Sequence, residues 1–367
     1  MESIIGDITR GVGTRNRDRM EEDYGEIEGV DNKDLERILA NLRTQICVVG
    51  CGGAGTNTIA RLVESGIHNT DLLAINTDAQ HLLLAKAPKK MLIGRRTTRG
   101  LGAGAIPSVG EAAALEAEEE MRGVLKGADL VFVTCGLGGG TGTGSIPIIA
   151  RIAREIGALT IGVVTLPFSV EGNVRMENGL GGLEKLRRET DTVIVIPNDR
   201  LLECAPRLSI NQAFRVADEV LVRAIKGISE MITVPGLVNL DFADLKTIMR
   251  DAGVAMIGLG EADSNDTKKA VTDALSSPLL DVDITGATAA LVNVIGGDTL
   301  TLQEAENAVA DIHSKSPEAR IIWGISIVPE MKSNVRVMVV VTGVKSPQIL
   351  GRDKSAFKKN MGIDVVG

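Results

Sequence analysis

The sequence predicts an α/β protein with a mostly parallel sheet covered on both faces, followed by a smaller α+β domain. From residue 46 onwards, short apolar segments typical of buried strands alternate with amphipathic segments typical of helices. This alternation indicates a parallel sheet with helices on both faces. Glycine-rich loops follow several of the predicted strands, and ligands of such sheets bind at the carboxyl ends of the strands. We therefore expect a Rossmann-like domain with a ligand site at that edge.

The composition limits the classes of protein to which the chain can belong. It has 367 residues, of which 44% are hydrophobic, and a net charge of −8. This length suggests about two domains. No apolar run approaches the roughly 20 residues of a membrane span, and the polar N-terminal region has no signal-peptide core. An acidic chain without a basic tract is not expected to bind nucleic acid.

The cysteines and histidines indicate neither a metal centre nor a nucleophilic triad. The four cysteines form no C-x-x-C pair and have no histidine at zinc-ligand spacing. Cys47 and Cys135 fall in predicted buried strands, where a free thiol behaves as a small apolar residue. The three histidines are far apart in the chain, so a histidine-based triad is not expected. Free, reduced cysteines are consistent with the reducing conditions of the cytoplasm.

The changes in pattern along the chain predict five parts. They are an N-terminal extension with a short helix (1–43), a first domain (44–208), a central helix (209–234), a smaller α+β domain (235–345) and a C-terminal tail (346–367). The extension is rich in glycine and charged residues, a composition typical of segments without a packed core. Ser209 and Gln212 predict a capping box at the start of the central helix, which Pro235 ends.

The predicted strands are shorter in the first domain than in the second. In the first domain they are Ile46–Val49, Leu72–Ile75, Met91–Ile93, Leu130–Thr134, Thr160–Val164 and Val193–Ile196. Helical patterns lie between most of them, including a long acidic helix over Glu111–Leu125. In the second domain the predicted elements are the strands Val254–Gly260, Ala289–Ile295, Ile321–Val328 and Val335–Val344 and the helices Lys268–Leu275 and Leu302–His313. The last two of these strands follow each other directly.

The run Gly138–Gly144 lies between a predicted strand and a predicted helix. Backbone N–H groups at a helix N-terminus, together with the helix dipole, favour an anion at that point. Glycines let the backbone approach a phosphate closely, and Thr141 and Thr143 add hydroxyl groups. A flexible linker is the alternative, but linkers do not separate two apolar, periodic elements. The run therefore predicts a phosphate site.

Two further glycine loops lie in the same domain, at Gly50–Gly55 and at Thr98–Gly104. The first resembles a dinucleotide fingerprint, with Asp78 in position to bind a ribose. An NAD-dependent oxidoreductase is therefore a rival hypothesis. Three phosphate-sized loops suit a nucleoside triphosphate better than a single pyrophosphate. No loop ends in Gly-Lys-Ser/Thr, which excludes a P-loop and leaves backbone N–H groups, helix dipoles and a metal ion to neutralise the phosphates.

Two pairs of residues spaced four apart are candidates for ribose and base binding. Glu171 and Arg175 follow the fifth strand and offer an acceptor and a donor to ribose hydroxyls, with an exposed ion pair as the alternative. Phe214 and Asp218 share one face of the central helix. The ring can stack on a base while the carboxylate accepts from N1–H and the 2-amino group of guanine. A core phenylalanine with a solvated aspartate is an equal alternative.

A polar loop after the central helix contains Asn239, Asp241 and Asp244. Two carboxylates and an amide can orient a water for attack on a phosphoryl group, although Asp241 also suits a helix N-cap. From Phe214 to Ile232 a straight helix rises about 27 Å, so this loop cannot reach a base held at Phe214 of the same chain. If both are functional, the loop acts on the nucleotide of another subunit, and such head-to-tail contacts generate filaments.

A series of ordered motifs resembles those of the tubulin/FtsZ family, over about residues 35–345. Gly138–Gly144 is similar to the family signature GGGTGTG without a mismatch, and Asn239-x-Asp241-x-x-Asp244 resembles the family's catalytic loop. The motifs that also match the FtsZ branch are Asn76-Thr77-Asp78, Thr98–Gly104, Glu171 with Arg175, and Phe214 with Asp218.

This resemblance implies a GTPase that polymerises head to tail into cytoplasmic protofilaments and forms the division ring at mid-cell. The implied fold is a Rossmann-like GTP-binding domain (44–208), joined by the central helix to an α+β domain that carries the catalytic loop at its start. The implied cofactors are GTP or GDP and Mg²⁺. The implied partners are further copies of the chain, other division proteins and a membrane-tethering adaptor, without direct membrane insertion.

The motifs and the resemblance together predict the site residues. The predicted nucleotide-binding residues are Gly52, Gly53, Ala54, Gly55, Thr56, Asn57, Asp78, Ala103, Gly104, Gly138, Gly139, Gly140, Thr141, Gly142, Thr143, Glu171, Arg175, Phe214 and Asp218. The resemblance implies that Asn239, Asp241 and Asp244 act on the γ-phosphate of the neighbouring subunit. No protein side chain is predicted to bind the metal.

The sequence departs from the family pattern at several points. Ala54 stands where many members have glycine, and Ile106 replaces an asparagine that is common after the third loop. The tail (346–367) lacks the long linker and adaptor-binding peptide of many bacterial members and resembles archaeal ones, so binding to the bacterial adaptors is not expected. A filament protein whose nucleotide only switches assembly stays open beside the NAD-dependent oxidoreductase. The nucleotide that co-purifies distinguishes guanine nucleotides from NAD.

Overall fold

The structure, a computed structural model, describes residues 44–204, 209–234, 238, 240–263, 266–280 and 284–344. The chain divides into two units, Met1–Arg43 and Thr44–Gly367. All described residues belong to the second unit. The helix predicted at the end of the N-terminal extension, Asn239 and the tail lie outside the described residues.

Strands and helices alternate through the described residues. The strands are β1 (Ile46–Cys51), β2 (Thr70–Asn76), β3 (Lys89–Leu92), β4 (Leu130–Gly136), β5 (Leu159–Leu166), β6 (Thr192–Pro197), β7 (Gly253–Asp263), β8 (Ala289–Gly296), β9 (Arg320–Ile327) and β10 (Asn334–Thr342). The helices are α1 (Gly52–Glu64), α2 (Ala79–Leu84), α3 (Pro107–Glu116), α4 (Glu118–Leu125), α5 (Thr141–Glu155), α6 (Asn173–Glu189), α7 (Asn198–Cys204), α8 (Ile210–Thr233), α9 (Phe242–Met249), α10 (Thr267–Leu275) and α11 (Leu302–Lys315).

The strands form one sheet in the order β3-β2-β1-β4-β5-β6-β7-β10-β8-β9. All pairs from β3 to β7 are parallel, which confirms the predicted parallel sheet. The order β3-β2-β1-β4-β5-β6 is that of a doubly wound nucleotide-binding fold, and its direction reverses between β1 and β4. The loops that follow β1 and β4 therefore open side by side.

Two apolar layers cover the two faces of the parallel part of the sheet. Successive strand residues point to opposite faces, so Phe132 of β4 is buried in one layer and its neighbour Val133 in the other. Helices α1 and α8 pack on the face of Phe132, through residues such as Ile59 and Ile225. Helices α3, α4 and α5 pack on the opposite face. The prediction of helices on both faces is confirmed.

The second half of the sheet is mixed. β10 lies between β7 and β8 and is antiparallel to both, whereas β9 is parallel to β8 at the end of the sheet. The last two predicted strands follow each other in sequence, yet β9 and β10 do not pair. A third apolar cluster joins this part of the sheet to α10 and α11.

One predicted helix differs from the structure in its extent. The acidic segment predicted as one helix over Glu111–Leu125 forms two helices, α3 and α4, because the backbone leaves the helical region at Ala117 (φ −107°, ψ 14°). The first and second halves of the sheet are continuous, because β6 and β7 pair in parallel over three residues each, from Thr192 with Gly253 to Ile194 with Ala255. The division into two domains with a central helix stays a prediction.

The central helix forms as predicted. Ser209 and Gln212 make the expected capping box, in which the Ser209 backbone N–H donates to Gln212 Oε1 at 2.9 Å. The helix runs through 24 residues, Ile210–Thr233, which corresponds to a length of about 36 Å. None of the helices among the described residues has both the length and the apolar character needed to cross a bilayer.

The buried β4 strand provides a direct test of the packing. Phe132 is completely buried, so Phe132→Ala is expected to lower the free energy of unfolding by about 3–5 kcal/mol. Leu84 exposes 82% of its surface. Leu84→Ala is therefore expected to change the free energy of unfolding by less than about 0.5 kcal/mol. Urea unfolding followed by circular dichroism measures both. Equal losses in the two variants would contradict the assignment of Phe132 to the core.

Candidate nucleotide-binding site

A cavity of about 230 Å³ lies at the carboxyl ends of β1, β4, β5 and β6. Predicted nucleotide-binding residues that line it are Gly53, Ala54, Gly139, Gly140, Thr141, Gly142, Glu171, Arg175, Phe214 and Asp218. A second cavity of about 550 Å³ shares Phe214 and Asp218 with the first and adds Asn57. The remaining predicted residues, which line neither cavity, are Gly52, Gly55, Thr56, Asp78, Ala103, Gly104, Gly138 and Thr143. All of these ligand roles stay predictions.

Two helices begin at the first cavity without a side-chain cap. The cap residues of α1 and α5 are Cys51 and Gly140, and neither accepts a hydrogen bond from its helix through a side chain. Side chains cap α2, α8, α9, α10 and α11. Helices α3, α4 and α6 also begin without a side-chain cap, but their cap residues do not line this cavity. The first N–H groups of a helix have no partner within the helix, so α1 and α5 present free donors at their positive ends. This arrangement suits a multiply charged anion.

The glycines of the Gly138–Gly144 run serve two different purposes. A Cβ atom on Gly139 would meet no other atom within 4 Å, so its backbone is open to a ligand. A Cβ atom on Gly144 would lie 2.0 Å from the carbonyl oxygen of Pro107, and one on Gly140 would lie 2.8 Å from the Ile106 nitrogen. A glycine at position 144 is therefore required by the packing of the protein itself. That residue lets α5 pack closely against α3.

The two threonines of this run also differ in role. The Thr143 hydroxyl accepts a hydrogen bond from the Gly138 backbone N–H at 2.9 Å, which stabilises the loop itself. The Thr141 hydroxyl lies 2.6 Å from the hydroxyl of Thr77, in the turn after β2. Thr141 lines the cavity. Of the two hydroxyls, that of Thr141 is therefore the one placed to meet a ligand.

The third glycine loop lies beside the first cavity rather than on it. The Gly102 backbone N–H donates to the Thr77 carbonyl at 3.2 Å, which holds this loop against the end of β2. The Asp78 carboxylate caps α2 by accepting from the His81 backbone N–H at 3.0 Å. An NAD fingerprint requires a free acid to bind the ribose. The capping role of Asp78 therefore weighs against the oxidoreductase hypothesis.

Phe214 and Asp218 lie together at the start of α8. Phe214 exposes 38% of its surface, so it is not a core residue. Its ring makes an edge contact with Phe168, with ring centres 5.1 Å apart and planes at 89°. Arg61 of α1 donates from Nε to Asp218 Oδ2 at 3.1 Å. Burial raises the pKa of Asp218 above its ordinary value, and the Arg61 guanidinium opposes that shift.

Glu171 and Arg175 form the ion pair that their spacing allows, and both line the first cavity. The Glu171 carboxylate also accepts from the Phe168 backbone N–H at 2.9 Å. This second bond holds Glu171 beside Phe168, whose ring contacts Phe214. Arg175 is exposed, so its guanidinium can leave the pair for a ligand. The ion pair and a ribose role are therefore compatible.

The sequence interpretation missed several residues at this site. Asn198 follows β6, is 96% buried and lines the cavity, and its Oδ1 has no hydrogen-bond partner among the described residues. Its position after a parallel strand was the available signal. Arg61 gave no signal, because its partner is 157 positions away in sequence. The other unpredicted lining residues of the first cavity are Cys51, Gly136, Leu137, Thr165, Pro167 and Ala217.

The buried cysteines behave as the sequence predicts. Cys47, Cys51 and Cys135 are free and buried. Burial raises the pKa of Cys51 and of Cys47 to about 12. These two thiols therefore stay protonated at neutral pH, and the cavity contains no thiolate from Cys51.

Two of the three predicted catalytic residues, Asp241 and Asp244, lie among the described residues. The Asp241 carboxylate accepts from the Ala243 backbone N–H at 3.1 Å and caps α9, as its alternative interpretation expected. Asp244 is exposed and lies 3.6 Å from a guanidinium nitrogen of Arg320. Neither aspartate lines the first or the second cavity. Asn239 lies outside the described residues.

Comparisons with known proteins agree with this geometry. A family model described as the GTPase domain of the tubulin/FtsZ family matches residues 45–206, and one for the C-terminal domain of the FtsZ family matches 253–345. A protein from Archaeoglobus fulgidus named cell division protein FtsZ 1 is 54% identical, over 100% of this chain and 99% of its own.

Two solved structures extend the comparison. An FtsZ dimer from M. jannaschii is 54% identical, with a TM-score of 0.81, over 85% of this chain and 92% of that one. CetZ2 from Haloferax volcanii, described as a protofilament with bound GTPγS, is 22% identical with a TM-score of 0.73, over 87% of this chain and 100% of that one. The second likeness concerns the fold alone.

The two kinds of glycine predict opposite outcomes for the same substitution. Gly139→Ala is expected to leave the unfolding midpoint unchanged and to weaken guanine nucleotide binding about tenfold, which corresponds to about 1.4 kcal/mol. Gly144→Ala forces a methyl group against the Pro107 carbonyl and is expected to lower the free energy of unfolding by about 1–3 kcal/mol or more. Urea unfolding and nucleotide titration measure the two effects. A stable Gly144→Ala protein would show that the contact with α3 is not required.

Proposed function

Because this chain belongs to the FtsZ family of tubulin-like cell-division GTPases, it is a GTPase that binds guanine nucleotides, and we propose that it assembles head to tail. In this proposal each subunit holds GTP in its first cavity, and the Asp241–Asp244 loop of the next subunit completes the site. The observation that carries it is the position of these aspartates, which line neither cavity of their own chain. Head-to-tail contacts of this kind generate filaments.

The triphosphate is bound mainly by backbone groups in this proposal. Arg175 is the one basic residue among the described residues that line the first cavity, and it is already paired with Glu171. The free N–H groups of α1 and α5 and the open backbone at Gly53 and Gly139 supply the contacts instead. The Thr141 hydroxyl adds one side-chain donor.

Magnesium fits this donor set. The described residues contain no cluster of three acidic, histidine or cysteine side chains that could hold a metal by themselves. Mg²⁺ is commonly bound through phosphate oxygens and water, with few protein ligands. When bound, the ion neutralises charge on the β- and γ-phosphates. The Thr141 hydroxyl, which lines the cavity, would be the side-chain group of this chain that holds the ion.

The base is recognised by Phe214 and Asp218 in this proposal. The partly exposed Phe214 ring offers a face for stacking, held in place by its edge contact with Phe168. The Asp218 carboxylate accepts from N1–H and the 2-amino group, a donor pair that adenine lacks. Arg61 supports this role because its guanidinium orients the carboxylate and favours its charged form. The buried Asn198 side chain is placed to add a further polar contact.

Hydrolysis between subunits assigns different tasks to the two aspartates. Asp241 caps α9 and thereby fixes the start of the helix that carries Asp244. Asp244 is exposed and loosely paired with Arg320, so its carboxylate is available to orient a water against the neighbour's γ-phosphate. A division ring in the cytoplasm, with other division proteins and a membrane-tethering adaptor as partners, is part of the proposal. Its support is the relatives that are named cell division proteins.

Guanine selectivity tests the base site. Asp218→Asn is expected to weaken GTP binding about tenfold or more, because hydrogen bonds to a charged group are worth about 1.5–3 kcal/mol. It should also reduce the preference for GTP over ITP, which lacks the 2-amino group. Glu219→Gln is the matched control, since Glu219 is adjacent, exposed and paired with Arg223 instead. Titration with both nucleotides measures the ratio, and an unchanged ratio in Asp218→Asn would contradict the assignment.

Turnover tests the role of Asp244. Asp244→Ala is expected to bind GTP and sediment as polymer, while its turnover falls by about 10²-fold or more, the usual contribution of such a group. Asp251→Ala is the control, since Asp251 is an exposed aspartate paired with Arg154. Wild-type turnover per subunit should rise steeply above a threshold concentration. Polymer without phosphate release in the wild type would favour the nucleotide as a switch only.

Mixing two inactive variants tests action between subunits directly. Asp244→Ala supplies bound GTP, and Asp218→Ala, which is expected to bind GTP poorly, supplies an intact Asp244. An equimolar mixture is expected to recover part of the wild-type turnover if the loop acts on its neighbour. A mixture that stays as inactive as its components, while still forming mixed polymer, would show that Asp244 acts within its own chain.

A further inference from the structure

A groove of about 490 Å³ lies on the second half of the molecule, between α11 and β9. Its apolar surface comes from Val309 and Ala310 of α11 and from Ile321 and Trp323 of β9, and the polar residues Glu306, His313 and Ser314 complete the lining. We call it the Trp323 groove. Neither of the two nucleotide cavities shares a residue with it.

The groove adjoins an edge of the sheet. Among the described residues β9 pairs along its length with β8, and its other side carries a single bridge, between Ile325 and Val238. Ile321 and Trp323 are only partly buried. Exposed apolar edges invite pairing with other chain segments, and native proteins commonly cover them. We therefore expect another chain segment to cover the groove.

The chain leaves the sheet close to this groove. Thr342, at the end of β10, pairs with Ala289 of β8, and Ala289 pairs with Arg320 at the start of β9. Two strand spacings, roughly 10 Å, therefore separate the exit point from the start of β9. Val344 is buried in the same apolar cluster against which Trp323 packs. The chain thus continues from the face of the sheet that carries α11.

The segment that follows has the composition to fill the groove. Residues 345–367 lie outside the described residues, and their first apolar side chains are Ile349 and Leu350. Five residues beyond Val344 can span about 17 Å, which exceeds the distance to the start of β9. The segment contains five basic and two acidic residues, whereas Glu306 lines the groove. The length of the segment, its apolar side chains and its net positive charge are therefore all compatible with the Trp323 groove.

We propose that Ile349 and Leu350 of the same chain dock in the Trp323 groove and cover the β9 edge. Docking within one chain needs little intrinsic affinity, because a short tether gives an effective concentration of about 1 mM. The Ile349–Leu350 pair contacts Val309, Ile321 and Trp323, and the basic residues beyond it lie near Glu306. This proposal does not depend on GTP hydrolysis or on assembly.

Fluorescence of the full chain provides the test, because Trp323 is its one tryptophan. The double variant Ile349→Asp/Leu350→Asp is expected to shift the emission maximum to longer wavelength. With an intrinsic dissociation constant near 1 mM, docking is about half complete, so the acrylamide quenching constant should rise about twofold. The matched control, Ile363→Asp/Val365→Asp, adds the same charge farther along the segment and should leave both quantities unchanged. Identical emission in the wild type and the first double variant would overturn the proposal.

A groove-side variant tests the charge contribution. Glu306 is exposed, so Glu306→Lys should fold normally and increase quenching at low salt. The increase should vanish at about 1 M salt, where screening acts within about 3 Å. Combined with Ile349→Asp/Leu350→Asp, Glu306→Lys should add nothing, which separates lost docking from a direct effect on Trp323. A quenching difference that grows with protein concentration would instead identify a second copy as the occupant and overturn docking within the chain.

Discussion

The parallel pairing of β1 with both β2 and β4 is the constraint on which the site depends. It brings the loops after these strands to one edge of the sheet. There the first turns of α1 and α5 approach so closely that a Cβ atom on Gly52 would lie 2.7 Å from the Gly142 nitrogen. Both helices begin without side-chain caps, so the first N–H groups of each have no partner within the helix. This packing supports the proposal of a phosphate site that has no P-loop lysine.

The central helix separates the residues that we propose bind the base from the loop that we propose acts in hydrolysis. Its first turns carry Phe214 and Asp218 at the cavities, while the chain beyond its end leads to Asp241 and Asp244. Buried residues such as Ile225 pack it against the sheet, and its 24 residues correspond to a length of about 36 Å. Neither aspartate lines either cavity of its own chain. This separation supports an active site that two subunits share.

The sequence predicted the elements well because each depends on short-range periodicity. The parallel strands, the helices on both faces and the Ser209 capping box needed only neighbouring residues for their prediction. The prediction of one helix over Glu111–Leu125 was wrong because apolar and acidic residues continue across Ala117 without a sequence break. Composition likewise could not show that β10 inserts between β7 and β8.

At the site, the sequence by itself determined which loops carry glycine, that no P-loop lysine is present and that Asp241 and Asp244 follow a long helix. Only the tertiary structure decided what each residue contacts. It assigned Gly144 to packing against α3, Thr143 to its own loop and Asp78 to the cap of α2. It also left the Phe214 ring accessible. The physical reason is that periodicity is a local property, whereas contacts such as Arg61 with Asp218 join residues 157 positions apart.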